Sequence, residues 1–258
     1  MADFDASTPS SARIYDALLG GKDNFAVDRE VAARLQAAAP LAVQVAKENR
    51  QFLSRAVTWV AREGVSQFID LGCGMPTSPA THESARSVIP AARVAYVDND
   101  AVVIARLRAL TAKGDPAITV VDGDLRDPAA ILAAVAAGID LSQPACLVMG
   151  FLLHFFPAGA ARDLAAAYTA ALAPGSYVVL SAGRADSDDG FGAYSKAGPT
   201  VYNHTDAEFA GFFGALELTD PGIADSREWR PGWEEQVRLP WRQGGALAGV
   251  ARVSGEPG

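Results

Sequence analysis

Two glycines in one short turn are the residues of this sequence best suited to contact a ligand. Gly72 and Gly74 lie in the segment 68–75, FIDLGCGM, where an apolar stretch runs into Asp70 and then into a tight turn that also holds Cys73. Glycine is needed where the backbone takes positive φ or passes close to a ligand. The pattern predicts a turn that contacts a nucleoside with an amino-acid tail, followed by a helix whose first N–H groups receive a carboxylate.

Acidic residues follow the next two apolar stretches of the chain. Asp98 and Asn99 come after the first of them, where a carboxylate can accept hydrogen bonds from both ribose hydroxyls. Asp124 comes after the second and could accept the amino group of adenine, while the backbone N–H of Leu125 reaches the ring. Isolated acids at such places usually cap the next helix. Three acids at three successive strand ends, one of them beside a Gly-x-Gly turn, instead favour S-adenosylmethionine as cofactor.

Two alternatives remain open beside this interpretation. The first is an NAD-dependent oxidoreductase, but the dinucleotide fingerprint G-x-G-x-x-G requires a third glycine where this chain has Thr77. The carboxylate of Asp70 would also repel a pyrophosphate. The second alternative is a non-catalytic protein that binds S-adenosylmethionine, for example in regulation, because donor-binding motifs survive the loss of activity.

His154 is the candidate catalytic residue, as a general base. It follows the fourth predicted strand, at the edge of the sheet where donor and acceptor must meet. A base is needed only if the acceptor loses a proton in the transition state. A histidine between Leu153 and Phe155 could equally be a packed residue that hydrogen-bonds to the backbone. His204, which precedes a predicted capped helix, is a candidate for the acceptor pocket.

The elements that position these residues alternate between strand and helix. Strands that are apolar throughout and separated by helices indicate a parallel sheet covered on both faces. A final antiparallel pair near residues 216–218 and 248–253 is typical of class I methyltransferases. We therefore predict their Rossmann-like α/β fold, with a mostly parallel seven-stranded sheet, a final antiparallel strand and helices on both faces. The five predicted parallel strands are residues 67–71, 94–97, 118–121, 146–151 and 176–180.

The first quarter of the chain has helical rather than strand periodicity. Ile14, Leu18 and Leu19 share one helix face, and longer helical patterns cover residues 27–38 and 41–63. No repeat or long linker interrupts the chain. We predict one domain over residues 1–258, with a helical extension over 1–64 and a Rossmann-like core over 65–258.

Composition narrows the classes of partner. The chain has 258 residues and a net charge of -8, so it lacks the basic field that nucleic acids or anionic membranes require. Its 2 cysteines form no paired motif, so no metal site is predicted. The longest apolar stretch, residues 145–156, is too short to span a bilayer. These features predict a cytoplasmic protein with a small-molecule acceptor, and they carry no indication of oligomeric state.

The chain also resembles a known family, the actinobacterial S-adenosyl methyltransferases that were long catalogued as a domain of unknown function. This resemblance implies S-adenosylmethionine as methyl donor and a Rossmann-like fold with an added helical amino terminus, and it implies no particular acceptor. The segment 201–204, VYNH, departs from the more basic sequence expected there. The resemblance is carried by residues 11–16 (SARIYD), 19–25 (LGGKDNF), 49–53 (NRQFL), 68–77 (FIDLGCGMPT), 96–100 (YVDND), 124–128 (DLRDP), 153–155 (LHF), 174–177 (PGSY) and 229–231 (WRP).

The resemblance gives weight to a polar cluster that composition alone would class as a helix stop with a solvated turn. We predict that Tyr15 and Asn24 contact the cofactor and that Lys22 and Phe25 help to shape the acceptor site, together with Tyr194 and His204. Several aromatic residues could line the same pocket, although tryptophans are more often core residues. These aromatic candidates are Phe191, Trp229, Trp233 and Trp241.

Overall fold

A computed structural model describes residues 6–111, 114–184, 192, 194–196, 198–230 and 245–255. Three helices open the chain: α1 (Ser11–Leu18), α2 (Ala26–Ala38) and α3 (Ala42–Arg62). The apolar positions of α3 recur at helical spacing, and Phe52 and Val60 are buried on the face that packs against the sheet. The predicted helical extension is therefore present.

Strands and helices then alternate as the sequence predicts. Beyond the fifth strand, the described residues form short helical segments and antiparallel strands. The elements are β1 (Gln67–Leu71), α4 (Thr81–Arg86), β2 (Arg93–Asp98), α5 (Ala101–Thr111), β3 (Ile118–Asp122), α6 (Pro128–Val135), β4 (Cys146–Gly150), a 3-10 turn (Leu153–Phe155), α7 (Ala158–Thr169), β5 (Tyr177–Arg184), α8 (Asp206–Gly211), β6 (Glu217–Leu218), β7 (Ala224–Asp225) and β8 (Gly245–Arg252).

The eight strands of the described residues form one sheet in the order β3-β2-β1-β4-β5-β8-β6, and β7 also pairs with β8. The first five strands are parallel, and β8 runs antiparallel to β5. The predicted fold class is confirmed. The sheet has eight strands rather than seven because two strands of two residues each, β6 and β7, both pair with β8. Strand β5 extends to Arg184, beyond the predicted end at residue 180, because its last residues pair with the start of β8.

The strand order reverses at β1, whose two neighbours are β2 and β4. A crevice opens at such a switch point, beyond the carboxyl ends of the strands, and it is where open α/β sheets bind ligands. The glycine turn follows β1, Asp98 ends β2, and residues 151–156 follow β4. The topology therefore brings these three segments to one edge of the sheet.

Apolar clusters cover both faces of the sheet, and one of them contains Trp229. The Trp229 side chain is fully buried, and its ring centroid lies 5.5 Å from that of Phe52 and 5.9 Å from that of Trp59. Both partners belong to α3. The prediction that Trp229 lines an acceptor pocket is wrong, because the residue fills the space between α3 and the sheet. Phe191, Trp233 and Trp241 lie outside the described residues.

Within the described part of the chain, no helix is long and apolar enough to cross a lipid bilayer.

Candidate active site

The glycine turn after β1 depends on both glycines, for different reasons. Gly72 and Gly74 have φ of 61° and 64°, in the left-handed region that residues other than glycine rarely adopt. A Cβ atom on Gly72 would lie 2.6 Å from Cδ1 of Leu152, whereas a Cβ on Gly74 would meet no atom within 4 Å. Gly72 therefore allows close packing, and Gly74 leaves a stretch of backbone open to a ligand.

Asp98 fixes the shape of this turn from the end of β2. Its Oδ2 accepts a hydrogen bond of 2.9 Å from the Gly74 backbone N–H. Its Oδ1 accepts hydrogen bonds of 2.9 Å from the N–H groups of Asn99 and Asp100. Burial raises the pKa of this carboxyl group above its ordinary value. A carboxylate offers about four lone-pair sites, so Asp98, which already accepts these three hydrogen bonds, keeps room for a hydroxyl group.

Asp70, the last residue but one of β1, is also buried. Its Oδ2 accepts a hydrogen bond of 2.6 Å from the Thr81 hydroxyl at the start of α4. Burial raises the pKa of Asp70 to about 6, although the Thr81 hydroxyl and the Arg50 guanidinium both act to lower it. The residue thus places a titratable carboxyl group directly beneath the glycine turn.

The amino terminus of α4 does not offer the free amides that the sequence predicts. The Ala80 N–H donates to Oε2 of Glu83 over 2.7 Å, and the His82 N–H donates to the Tyr96 hydroxyl over 2.9 Å. Because the chain itself uses these two amides, we correct the prediction that the start of this helix receives a carboxylate.

Arg50 on α3 is better placed for that role, and sequence reasoning missed it. One terminal nitrogen, Nη2, donates to the Thr77 carbonyl over 3.0 Å. Its Nε atom is buried and has no hydrogen-bond partner among the described residues. Arg50 lines the same cavity as Asp70 and Gly74. A guanidinium binds carboxylates through paired hydrogen bonds, so a buried free N–H here fits a carboxylate ligand. In the sequence, the indication for Arg50 was its position in segment 49–53 (NRQFL), one of the segments that carry the family resemblance.

Asp124 and Leu125 line the opposite end of this cavity. The Asp124 carboxylate pairs with Arg126, whose Nη2 lies 2.5 Å from Oδ2, and this pairing lowers the pKa of Asp124. The Leu125 carbonyl accepts a hydrogen bond of 3.0 Å from the Tyr168 hydroxyl, which holds the backbone of this segment against α7.

The segment after β4 brings Phe151 and His154 to the cavity. Phe151 has a φ of 51°, uncommon for a residue with a side chain, and its N–H donates to both the carbonyl and the hydroxyl of Ser181 over 3.1 Å. His154 is buried, with its Nδ1 atom 3.5 Å from the Gly183 nitrogen. Burial and the nearby His204 lower the pKa of His154 to about 3. Its imidazole is therefore neutral near pH 7.

The predicted amino-terminal cluster divides between the cavity and the surface. Tyr15 lines the cavity, and its hydroxyl donates to the Ala46 carbonyl over 2.8 Å. Lys22, Asn24 and Phe25 are not among the residues that line the cavity as described. Their predicted contacts with the cofactor and the acceptor therefore stay predictions, and the structure shows a second role for this segment.

The turn that contains these three residues is organised by Asp16. The Asn24 side-chain amide donates to Oδ2 of Asp16 over 2.7 Å, and the Asp23 N–H donates to the same oxygen over 3.0 Å. A Cβ atom on Gly21 would overlap the Asp16 carboxylate. The specific LGGKDNF segment thus builds the connection between α1 and α2, and these internal contacts account for much of its unusual composition.

Of the two remaining predicted residues, one reaches the cavity. Tyr194 lines it and is 8% exposed. His204 is not part of the described lining. Its Nε2 atom lies 3.2 Å from the Leu153 carbonyl oxygen, and its ring packs edge-on against Phe212. His204 therefore supports the segment that carries His154 and does not contact the acceptor space directly.

This site at the switch point of a five-stranded parallel sheet, followed by antiparallel strands, defines the class I methyltransferases. The chain belongs to the S-adenosyl methyltransferase family, whose sequence profile matches residues 1–254. The protein is thus an S-adenosylmethionine-dependent methyltransferase. The predicted family, fold and methyl donor are confirmed, and the oxidoreductase and non-catalytic alternatives are set aside.

Solved structures agree with this assignment. A candidate methyltransferase from Thermobifida fusca is 39% identical, with a TM-score of 0.87 and coverage of 97% of each chain. A DUF574 family protein from Streptomyces avermitilis is 33% identical, with a TM-score of 0.90 and coverage of 96% of this chain and 98% of that one.

A more distant structure shares the fold alone. Magnesium protoporphyrin IX methyltransferase from Synechocystis, solved with bound S-adenosylhomocysteine, is 15% identical, with a TM-score of 0.54 and coverage of 93% of each chain. No curated protein gives a significant match to this chain.

Proposed function

We propose that the protein transfers a methyl group to an oxygen or nitrogen atom of a small-molecule acceptor inside the cavity at the sheet edge. The observation that carries this proposal is the size of the cavity, about 1140 Å³. Pockets for a single small ligand typically measure about 300–1,000 Å³. One wall holds the residues assigned to the donor, and the other is built from the amino-terminal helices, which leaves room for a second molecule.

The donor site is assigned from the residues that meet at the sheet edge. Asp98 and Asn99 would hold the ribose hydroxyls, Asp124 and Leu125 the adenine. The turn formed by Asp70, Gly72, Cys73 and Gly74 would hold the methionine part, with Tyr15 at its border. The unpartnered Nε of Arg50 and the open space at Gly74 fit a ligand with a carboxylate tail.

The chemistry requires little from the protein beyond orientation. Bound S-adenosylmethionine supplies a methyl group that its positive sulfur already activates. Holding two reactants in line can lower the barrier by roughly 7–11 kcal/mol. The two walls of the cavity would supply that orientation.

His154 is the group proposed to touch the acceptor. A general base works best with a pKa near the operating pH. A pKa of about 3 makes His154 a poor final holder of a proton at neutral pH. Because Nδ1 accepts the Gly183 N–H, the neutral imidazole carries its proton on Nε2 and would orient the acceptor as a hydrogen-bond donor. This arrangement favours acceptor atoms that are nucleophilic without the help of a strong base.

The proposal is tested by following a labelled methyl group from S-adenosylmethionine into an extract of small and large molecules. We expect label in the small-molecule fraction that passes an ultrafiltration membrane, and we expect an excess of S-adenosylhomocysteine to prevent its appearance. Label that stays with protein or nucleic acid would contradict the proposal. Extract treated with protease and nuclease serves as the control, because a small-molecule acceptor survives both treatments.

A further inference from the structure

The cavity has one apolar wall, whereas its charged residues lie mostly on the donor side. This distribution bears on the chemical class of the acceptor. Its wall opposite the donor residues is formed by the three amino-terminal helices. Apolar side chains line that wall, and the helices meet in an apolar cluster behind it. The apolar side chains of this wall are those of Ile14 and Leu18 from α1, Leu35 from α2, and Leu41 and Val45 near the start of α3.

Aromatic residues from two other segments, Phe155 and Tyr194, lie beside this wall. The wall and these two residues together are called the chamber. Phe155 follows β4, and its ring centroid lies 6.5 Å from that of Tyr194. The Tyr194 residue is 8% exposed. Burial raises the pKa of Tyr194, so the hydroxyl stays protonated and neutral. The chamber thus contains one neutral phenol hydroxyl.

The charges around the cavity lie elsewhere. No charged residue lines it from within residues 10–49, which form the helical wall. Arg184 lies at the outer rim, where its side chain is 41% exposed and pairs with Asp206 over 3.6 Å. Apart from Arg184, the charged residues of the described lining come from the end of α3 and the donor loops: Arg50, Asp70, Asp98, Asp100, Asp124 and Arg126.

Burying an ionised group without a partner is strongly unfavourable, whereas burying apolar surface is favourable. Among the described residues that line the chamber, the polar groups are neutral: the His154 imidazole is neutral, and the Tyr15 hydroxyl already binds the Ala46 carbonyl. A ligand with a carboxylate, phosphate or ammonium group would therefore lose its hydration and gain no counter-charge from these described residues.

We infer that the methyl acceptor is an uncharged, mostly apolar small molecule with a ring or chain that packs against α1, α2 and α3. This inference rests on the proposed function and makes it more specific. The acceptor's one or two polar atoms would meet His154 and Tyr194, and the rest of its surface would lie against aliphatic side chains.

Two fluorescent probes with the same ring system test the inference. N-phenyl-1-naphthylamine is neutral, and 8-anilinonaphthalene-1-sulfonate carries one negative charge. Both are titrated into the full-length protein saturated with S-adenosylhomocysteine. We expect the neutral probe to bind at least about tenfold more tightly than the anionic one. Equal or tighter binding of the anionic probe, or no binding of either, would overturn the inference.

Matched variants locate the binding. Val45→Lys places a cation in the chamber and should weaken binding of the neutral probe by about tenfold or more. Gln44→Lys adds the same charge to the exposed side of α3 and should leave it unchanged. Binding of the neutral probe that Val45→Lys does not alter would also overturn the inference.

Titration with S-adenosylhomocysteine separates the inference from the proposed function. All three proteins should bind it equally, since neither position belongs to the donor residues. If the wild-type protein fails to bind it, the proposed function falls and the inference with it. If Val45→Lys alone fails to bind it, the variant is misfolded, and the preference of the wild-type protein between the two probes decides.

Discussion

Arg50 has a buried Nε atom without a hydrogen-bond partner among the described residues, and a bound ligand would supply that partner. A buried N–H without a partner is costly, and hydrogen bonds to charged groups contribute about 1.5–3 kcal/mol. We therefore expect Arg50→Met to weaken binding of S-adenosylhomocysteine by about 10- to 150-fold, measured by isothermal titration calorimetry. Arg50→Lys should recover only part of the loss, because an ammonium group cannot form the paired contact.

The control for this prediction is a ligand that lacks the carboxylate. 5′-Methylthioadenosine retains the nucleoside but has no amino-acid tail, so its affinity should be the same for Arg50→Met and the wild-type protein. Arg62→Met removes a cation from the last turn of the same helix and should change neither affinity. An equal loss for both ligands would show that Arg50 acts on the fold rather than on the carboxylate.

Asp70 gives the stability of the unliganded protein a characteristic dependence on pH. Its pKa is about 6 in the folded protein, against an ordinary value of 3.8. Above pH 6 the carboxylate is ionised in both states, and the cost of burying it, about 3 kcal/mol, is fully present. Between these two pH values the folded protein binds the extra proton, so that cost disappears as the pH falls.

We therefore expect Asp70→Asn to be more stable than the wild-type protein at pH 7.5 and to lose that advantage as the pH approaches 4. The measurement is the free energy of unfolding in urea across this range. Asp140→Asn provides a contrast, because the hydrogen bond from Ser142 lowers the pKa of Asp140. A stability difference between Asp70→Asn and wild type that does not change with pH would disprove the assignment.

At the level of secondary structure, Arg13 connects three elements. Its Nε atom lies 3.5 Å from Oδ2 of Asp28 in α2 and 3.6 Å from Oδ2 of Asp100, just after β2. Asp28 is fully buried and also accepts hydrogen bonds from the Ser10 and Phe25 N–H groups. This cluster attaches the helical extension to the loop that begins at the donor residue Asp98.

Loss of one partner from a buried ion pair typically costs about 3–5 kcal/mol, because the remaining charge stays buried. We expect Arg13→Met to reduce the free energy of unfolding by about that amount and to increase hydrogen exchange in α1 and α2. Arg34→Met removes an exposed pair with Glu30 in the same helix and should cost less than about 1 kcal/mol. Similar losses for the two variants would contradict a structural role for the Arg13 cluster.

The elements also show what sequence patterns can and cannot predict. Strands β1 to β4 match their predicted bounds within one residue. A short, mostly apolar run between two helices is typical of a strand buried in a parallel sheet, so the local sequence predicts it well. The sequence does not predict the end of β5, because Ala182 and Gly183 resemble a turn and form strand by pairing with β8, about 65 residues later. Such long-range pairing is not encoded locally.

The candidate site follows the same division. Residues at strand ends, such as Gly74, Asp98 and Asp124, line the cavity as predicted, because topology alone brings strand ends together. Lys22 and Asn24 lie outside the described cavity lining, since an unusual composition indicates a constrained turn but not which way the turn faces. The sequence does not predict a role for Arg50, because the relevant observation is that its Nε atom is buried without a hydrogen-bond partner among the described residues. Burial of a single atom cannot be read from a sequence pattern.

For the whole molecule, α3 is the element that makes the extension and the core one body. The Asn49 side-chain oxygen accepts a hydrogen bond of 2.6 Å from the Ser181 hydroxyl in β5. Six residues further along, Arg55 donates to the Ser226 carbonyl over 2.6 Å and the Trp229 carbonyl over 3.2 Å. Residues 1–64 are therefore proposed to form a single domain with the rest of the chain, and they supply one wall of the cavity.

A single domain should unfold in a single transition. We expect the far-ultraviolet circular dichroism of the helices and the tryptophan fluorescence, to which the packed pair Trp59 and Trp229 contributes, to change at the same urea concentration. S-adenosylhomocysteine at about 100 times its Kd should raise the free energy of unfolding by about 2.7 kcal/mol for both signals. An earlier loss of helical signal, unaffected by the ligand, would mean that the extension is a separate unit and that the cavity lacks a stable second wall.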